Sequence, residues 1–158
     1  MSAPEKGDVA PAWQLPVDGG GEIGSAGLQG RPYVLYLYPR DDTPGCTVEA
    51  QTFTQHYSAF ADLGVEIVGL SKDTVTSHDK FKKKYGLCFP LASDAGGVVE
   101  AFGSWVEKSN YGKTYMGIDR STFLVDGDGR IVRAWRGVKV PGHVEEVLAA
   151  AKALVGRG

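Results

Sequence analysis

The run Tyr33-Val34-Leu35-Tyr36-Leu37-Tyr38 carries no charged residue, and Pro39 ends it. Aromatic and β-branched side chains suit a strand, and a strand without polar alternation has to be covered on both faces. A second, largely apolar run, Val65-Glu66-Ile67-Val68-Gly69-Leu70-Ser71, follows a segment with helical signals. Thr43 is the expected N-cap, Pro44 suits the first helical position, and Gly45 allows a close approach. Phe53, Tyr57 and Phe60 recur at helical spacing up to about residue 63, and Gly64 stops the helix. Strand, helix and strand in this order imply a right-handed parallel crossover. Open α/β sheets place functional groups at the carboxyl ends of such strands, which here is the loop 39–43.

The remaining segments extend that unit. Residues 1–12 read as an extended arm, and Asp18-Gly19-Gly20-Gly21 as a turn joining two short strands that end near Leu28. A helix is expected from Asp73 or Thr74 to about Tyr85, then a short strand at Phe89-Pro90-Leu91 and a short helix over 98–102. Strands over 115–118 and 122–126 lead into the hairpin turn Asp126-Gly127-Asp128-Gly129 and a strand over 130–135. A final helix covers about 143–154. No repeat or low-complexity linker interrupts the chain, so one domain over residues 1–158 is expected. The predicted class is α/β: a thioredoxin-like fold with a central mixed β-sheet, helices on both faces and an N-terminal hairpin extension.

A chain of 158 residues can bury a substantial core without disulfides. Its formal charge is −2, and its only cationic run, Lys82-Lys83-Lys84, reads as the wet side of a helix. No nucleic-acid partner is expected. No stretch reaches the roughly 18 to 20 apolar residues of a membrane helix, so no membrane partner is expected either. Residues 1–16 lack the charged start and apolar centre of a secretory signal. Two cysteines cannot make a disulfide framework, and a cytoplasmic location is expected. His56, His78 and His143 lack ligand spacing, so no metal site is expected.

Cys46 falls on the first turn of the predicted helix, where unpaired amides and the positive end of the helix dipole favour a thiolate. A free thiol is already about 3% ionised near pH 7, so full ionisation gains only about 30-fold, roughly 2 kcal/mol. Part of that is lost again, because nucleophilicity falls with pKa. The rest of any catalysis has to come from positioning the electrophile and stabilising its leaving atom. Thr43 can place a hydroxyl beside the sulfur, and Arg120, in Gly117-Ile118-Asp119-Arg120-Ser121-Thr122, is the best candidate for a permanent cation.

Pro39, Thr43 and Cys46 fit the Pro-x-x-x-Thr-x-x-Cys signature of peroxiredoxins, and the chain resembles their bacterioferritin-comigratory (Q-type) subfamily. Further matches are Gly7-Asp8-Val9-Ala10-Pro11, Ser71-Lys72-Asp73, Ser77-His78, Phe81, Phe89-Pro90-Leu91-Ala92-Ser93-Asp94 and Arg120-Ser121-Thr122-Phe123. The resemblance implies a thiol peroxidase acting on hydrogen peroxide or organic hydroperoxides. It implies that Cys46 is the peroxidatic nucleophile, that Thr43 binds the peroxide and that Pro39 shields the site from water. Arg120 would stabilise the thiolate and polarise the O–O bond. Glu49 is similar to the acid that orients this arginine; otherwise it is an exposed acid near the helix start. The resulting sulfenic acid would pass to a disulfide, opened by thioredoxin or a related thiol reductant. No metal or organic cofactor is implied, and a monomer or weak dimer is expected.

The chain departs from that pattern at the resolving cysteine. Related chains carry one five residues after the peroxidatic position, where this sequence has Gln51, or early in the next helix, where it has Lys82. Only Cys88 remains, expected near the opposite end of the molecule from Cys46. It is either a resolving thiol or a buried or half-buried structural one. A one-cysteine mechanism with an external thiol is expected. The alternatives are a peroxide sensor or redox relay without turnover and, more remotely, a disulfide reductase or a cysteine hydrolase; there is no Cys-x-x-Cys pair.

Overall fold

A computed structural model describes residues 3–156. The order is β1 (Gln14–Pro16), β2 (Glu22–Gly24), β3 (Tyr33–Leu37), α1 (Pro44–Gln55), α2 (Tyr57–Asp62), β4 (Glu66–Ser71) and α3 (Val75–Tyr85). Then come β5 (Leu91–Ser93), α4 (Val98–Ala101), β6 (Trp105–Asn110), β7 (Lys113–Ile118), β8 (Ser121–Val125), β9 (Ile131–Trp135) and α5 (His143–Gly156). A five-stranded sheet runs β5-β4-β3-β8-β9, so the apolar run of β3 is the central strand. It pairs parallel with β4 and antiparallel with β8, which makes the sheet mixed as expected.

Alternation along β3 divides the core into two layers. Val34 and Tyr36, with Tyr38 just beyond the strand, pack with Phe53 of α1, Phe60 of α2, Phe81 of α3 and Val144 and Val147 of α5. Tyr33, Leu35 and Leu37 face the other way, against Trp13 and Leu15, Leu28, Val99 and Phe102, and Phe123. The second face is therefore covered by the N-terminal hairpin together with the short α4. Aromatic contacts bind the first layer: Tyr36 stacks on Phe53 at 4.6 Å, and Phe89 meets Tyr36 edge-on at 5.8 Å. Burying each such ring contributes about 1.5 to 3 kcal/mol.

Several boundaries differ from the sequence expectation. The helix expected to reach residue 63 is divided at His56 into α1 and α2. Thr52 turns its hydroxyl back to the Val48 carbonyl (2.7 Å), a local bond that competes with straight helix. The short strand expected at Phe89-Pro90-Leu91 begins at Leu91, because Pro90 has no N–H and contributes only its carbonyl, which Gly69 N–H meets at 3.0 Å. β2 ends at Gly24, and Leu28 sits in a turn beyond it. β6 was not expected; it forms an exposed two-residue hairpin with β7, turning through Tyr111 (φ 52°) and Gly112 (φ 77°). Of the expected arm, residues 1–2 lie outside the described residues. Gly7 and Ala10 tie the rest to β9 and its preceding turn through bonds of 2.8 Å to Ile131 and Gly129. Within the lysine run, Lys82 pairs with Asp18 (2.7 Å) and Lys84 with Asp42 (2.8 Å). Among the described residues no helix is long and apolar enough to cross a membrane.

Candidate active site

The loop from β3 to α1 lies where the central strand ends and puts Cys46 at the third position of the helix. Thr47 N–H is the first helical donor, bonding Thr43 O at 2.8 Å. The amides of Gly45 and Cys46 consequently find no acceptor among the described residues. Thr43 occupies the N-cap with extended backbone, but its hydroxyl does not cap the helix as expected; it donates to the Arg40 carbonyl at 2.8 Å. The tight turn of the loop claims that proton and leaves the oxygen's lone pairs free to accept. Pro39 is half-buried at the mouth of the loop, and Arg40 is exposed. Asp42 adopts φ 57° and is held by Lys84 (2.8 Å) and the Tyr85 hydroxyl (2.5 Å).

Arg120 reaches this helix from the β7–β8 connection. Leu37 pairs with Ser121 at the end of β3, which brings the neighbouring Arg120 over the first turn of α1. Its Nη2 donates to Cys46 Sγ at 3.4 Å, and its Nη1 to Glu49 Oε1 at 2.6 Å. Cys46 is 2% exposed and Glu49 wholly buried, so Glu49 is not the exposed acid that one sequence reading allowed. Burial works against the charge on Arg120, yet Glu49 and Cys46 hold its pKa above the ordinary value. Burial also dominates at Glu49, pushing it up to about 7 despite the pull of Arg120. Gly45 makes the approach possible: a Cβ there would stand 3.2 Å from Arg120 Nη2.

Two further residues, Tyr36 and His143, lie about this cluster without having been singled out for it, and Glu49 adds an unpartnered oxygen. The Tyr36 hydroxyl and Glu49 Oε2 are buried without a hydrogen-bond partner among the described residues. Burial first, then the charges of Glu49 and Cys46, raise Tyr36 well above the usual phenol value. His143, at the start of α5, bonds the Thr122 hydroxyl through Nε2 at 2.8 Å. Its burial, aided by Arg120, lowers it to about 4, so the ring is neutral. Position in a strand or at a helix start was the only sequence signal for either residue.

Cys46, Glu49 and Arg120 thus meet, and Cys88 stands apart. Both thiols are free, and Cys88 is exposed rather than buried or half-buried. Its sulfur lies 4.0 Å from the Thr54 carbonyl, near the far end of α1. Eight residues of helix separate positions 46 and 54, about 12 Å, whereas a disulfide requires alpha carbons within about 7 Å. Beside the helix start, Pro44, Gly45, Val48, Thr52, Val140 and Pro141 line an open, largely apolar groove of about 490 Å³.

The AhpC/TSA family model matches residues 6–134. The chain is 46% identical over 149 residues to the peroxiredoxin Bcp of Bacillus subtilis, covering 94% of this chain and 95% of that one. A solved structure of the Xanthomonas campestris bacterioferritin comigratory protein, described for its alkyl peroxide reduction activity, is similar with TM-score 0.89 and 42% identity. The match covers 98% of this chain and 99% of that one. A cysteine-to-serine mutant of Xylella fastidiosa PrxQ is similar with TM-score 0.90 and 39% identity, covering 97% and 98% of the two chains.

Proposed function

The chain belongs to the AhpC/TSA family and is a peroxiredoxin, a thiol-dependent peroxidase, in which we propose that Cys46 is the peroxidatic nucleophile. The observation that carries this assignment is the guanidinium of Arg120 shared between Cys46 Sγ and Glu49 Oε1. The sulfur attacks the terminal oxygen of the hydroperoxide; the S–O bond forms as the O–O bond breaks. The leaving alkoxide or hydroxide takes a proton and departs as alcohol or water, and Cys46 becomes a sulfenic acid. Arg120 stabilises the thiolate and the charge that develops across the O–O bond. Thr43 accepts a hydrogen bond from the peroxide with its free lone pairs, consistent with its hydroxyl proton being taken by Arg40 O. Pro39 screens the sulfur from water, and Glu49 fixes the guanidinium.

Turnover then needs a thiol from outside the chain. That thiol attacks the sulfenic sulfur, water leaves, and a second thiol reduces the mixed disulfide back to Cys46. Thioredoxin or a similar dithiol reductant suits that step, and the distant, exposed Cys88 favours an external over an internal resolver. The apolar groove beside Gly45 supports organic hydroperoxides as substrates alongside hydrogen peroxide. The reading takes the chain as one domain over residues 1–158, a monomer or weak dimer working in the cytoplasm without a cofactor.

The protein with a dithiol reductant should consume peroxide over many turnovers, and Cys46→Ser should consume none. Full activity in that variant would sink the assignment. The separation of Cys88 from Cys46 also favours a second reading, a sensor that oxidises once and hands its disulfide to a partner. That reading predicts stoichiometric oxidation without reductant-supported turnover.

A further inference from the structure

His78, within the Ser77-His78 match noted in the sequence, is wholly buried on α3 yet takes no part in the chemistry described above. Its Nδ1 lies 2.7 Å from Asp41 Oδ2 and its Nε2 2.9 Å from the Ala92 carbonyl. A carbonyl oxygen only accepts, so Nε2 carries a proton. Asp41 also receives the Tyr38 hydroxyl (2.5 Å) and the Ser77 hydroxyl (2.8 Å), so two hydroxyl donors converge on the same carboxylate. An ionised carboxylate only accepts too, so Nδ1 is protonated and the ring is an imidazolium facing its counter-charge.

Asp41 belongs to the β3–α1 loop, between Pro39 and Thr43 and five residues before Cys46. Its backbone N–H is held in turn by Asp73 Oδ2 at 2.9 Å. The loop that carries the proposed peroxide ligand is therefore anchored to α3 through Asp41, by its charged pair with His78 and by the Ser77 hydroxyl. Asp42 adds a second tie farther along the helix, to Lys84 and Tyr85. The ionisable groups facing His78 are Tyr38 from the end of β3, Asp41 from the loop and Asp73 from the β4–α3 junction; β5 contributes the Ala92 carbonyl.

We propose that His78 is a positioning residue of the peroxidase site, its imidazolium pinning Asp41 so that the loop from Pro39 to Thr43 is held against α3 while Cys46 reacts. This rests on the peroxidase reading of Cys46. Burial opposes the charge on His78, but Asp41 and the Ala92 carbonyl together raise its pKa above the ordinary imidazole value. The anchor is thus complete below that raised pKa and is lost as the pH climbs through it, because a neutral ring can satisfy only one of its two acceptors.

The test is the second-order rate of hydrogen peroxide consumption between pH 6 and 10 for wild type, His78→Ala and His78→Asn, with Cys46→Ser as blank. At pH 7, His78→Ala should be about tenfold slower or worse, within the range that misplacement of supporting groups costs. His78→Asn keeps a donor towards Asp41 but cannot titrate. It should lie between the other two at pH 7 and lack the alkaline fall of wild type. A His78→Ala rate equal to wild type overturns the proposal alone, as does an alkaline fall in His78→Asn that matches wild type. Should His78→Ala fail to fold, the wild-type and His78→Asn profiles still decide. A wild-type protein that consumes no peroxide overturns the peroxidase reading and this proposal with it.

Discussion

Glu49 holds Arg120 by a single oxygen, Oε1 at 2.6 Å from Nη1, while its other oxygen is buried without a partner among the described residues. The carboxylate therefore fixes the direction of the guanidinium without being fully satisfied itself. Glu49→Gln keeps an acceptor but removes the charge, so Arg120 should hold its place over Cys46 less firmly. Peroxide consumption should fall about tenfold, near 1.4 kcal/mol, with the fold intact by circular dichroism. The same substitution has a stability signature. Because Glu49 titrates near 7 when folded against 4.5 in its ordinary state, the folded protein binds the extra proton between those values. Its contribution is complete below about pH 4.5 and disappears as the pH rises through 7. Urea unfolding at pH 5 and pH 8 should show wild type losing stability relative to Glu49→Gln, by at most about 3 kcal/mol. Parallel pH dependence in the two proteins would contradict the burial argument.

Gly45→Ala should separate stability from reactivity. Alanine is the better helix former by up to about 1 kcal/mol. Its Cβ, however, would stand 3.2 Å from Arg120 Nη2, so the guanidinium must yield by a few tenths of an ångström. The expected variant unfolds at equal or higher denaturant concentration yet consumes peroxide several-fold more slowly. An unimpaired rate would mean that the position of Arg120 has slack the geometry does not suggest.

His143 tilts the pH dependence of stability in the opposite direction from Glu49. Its imidazole, buried against Thr122, titrates near 4 rather than 6.5. Its contribution is complete above about pH 6.5 and is lost as the pH falls through 4, because the unfolded chain then binds the proton first. His143→Gln should unfold with less acid sensitivity than wild type over that window, as read by denaturant midpoints at each pH. A difference unchanged between pH 7 and pH 4 would count against a neutral buried ring.

One equivalent of peroxide should add one oxygen to the mass of the reduced protein, because the sulfur of Cys88 sits beside Thr54 at the far end of α1 from Cys46. A loss of two hydrogens would instead report a bond between the two cysteines, and would require the helix between them to open.

Much of this arrangement was legible in the chain. The runs at β3 and β4 announce themselves because both faces of each strand are covered, so hydrophobicity does not depend on what lies opposite. Thr74 and Gly86 bound α3 through chemistry local to its ends: Thr74 accepts from Ser77 N–H, and Gly86 takes φ 64°. β6 was illegible for the converse reason: its hairpin with β7 stands largely in water, and no burial imposes a pattern on it. The proximity of Arg120 to Cys46 could be argued from chemistry, but the burial of Glu49 could not. An acid near a helix start looks the same whether water or a guanidinium from β7–β8 covers it. The His78–Asp41 pair lies further beyond sequence reasoning. Its members are 37 positions apart, and neither ring nitrogen's partner is visible until β5 and the loop are in place.

Cys46 and Arg120 are 74 positions apart and meet only after β8 has zipped onto β3. A newly made chain still emerging from the ribosome has no such cation beside its sulfur. The reactivity proposed for Cys46 therefore depends on completion of the sheet.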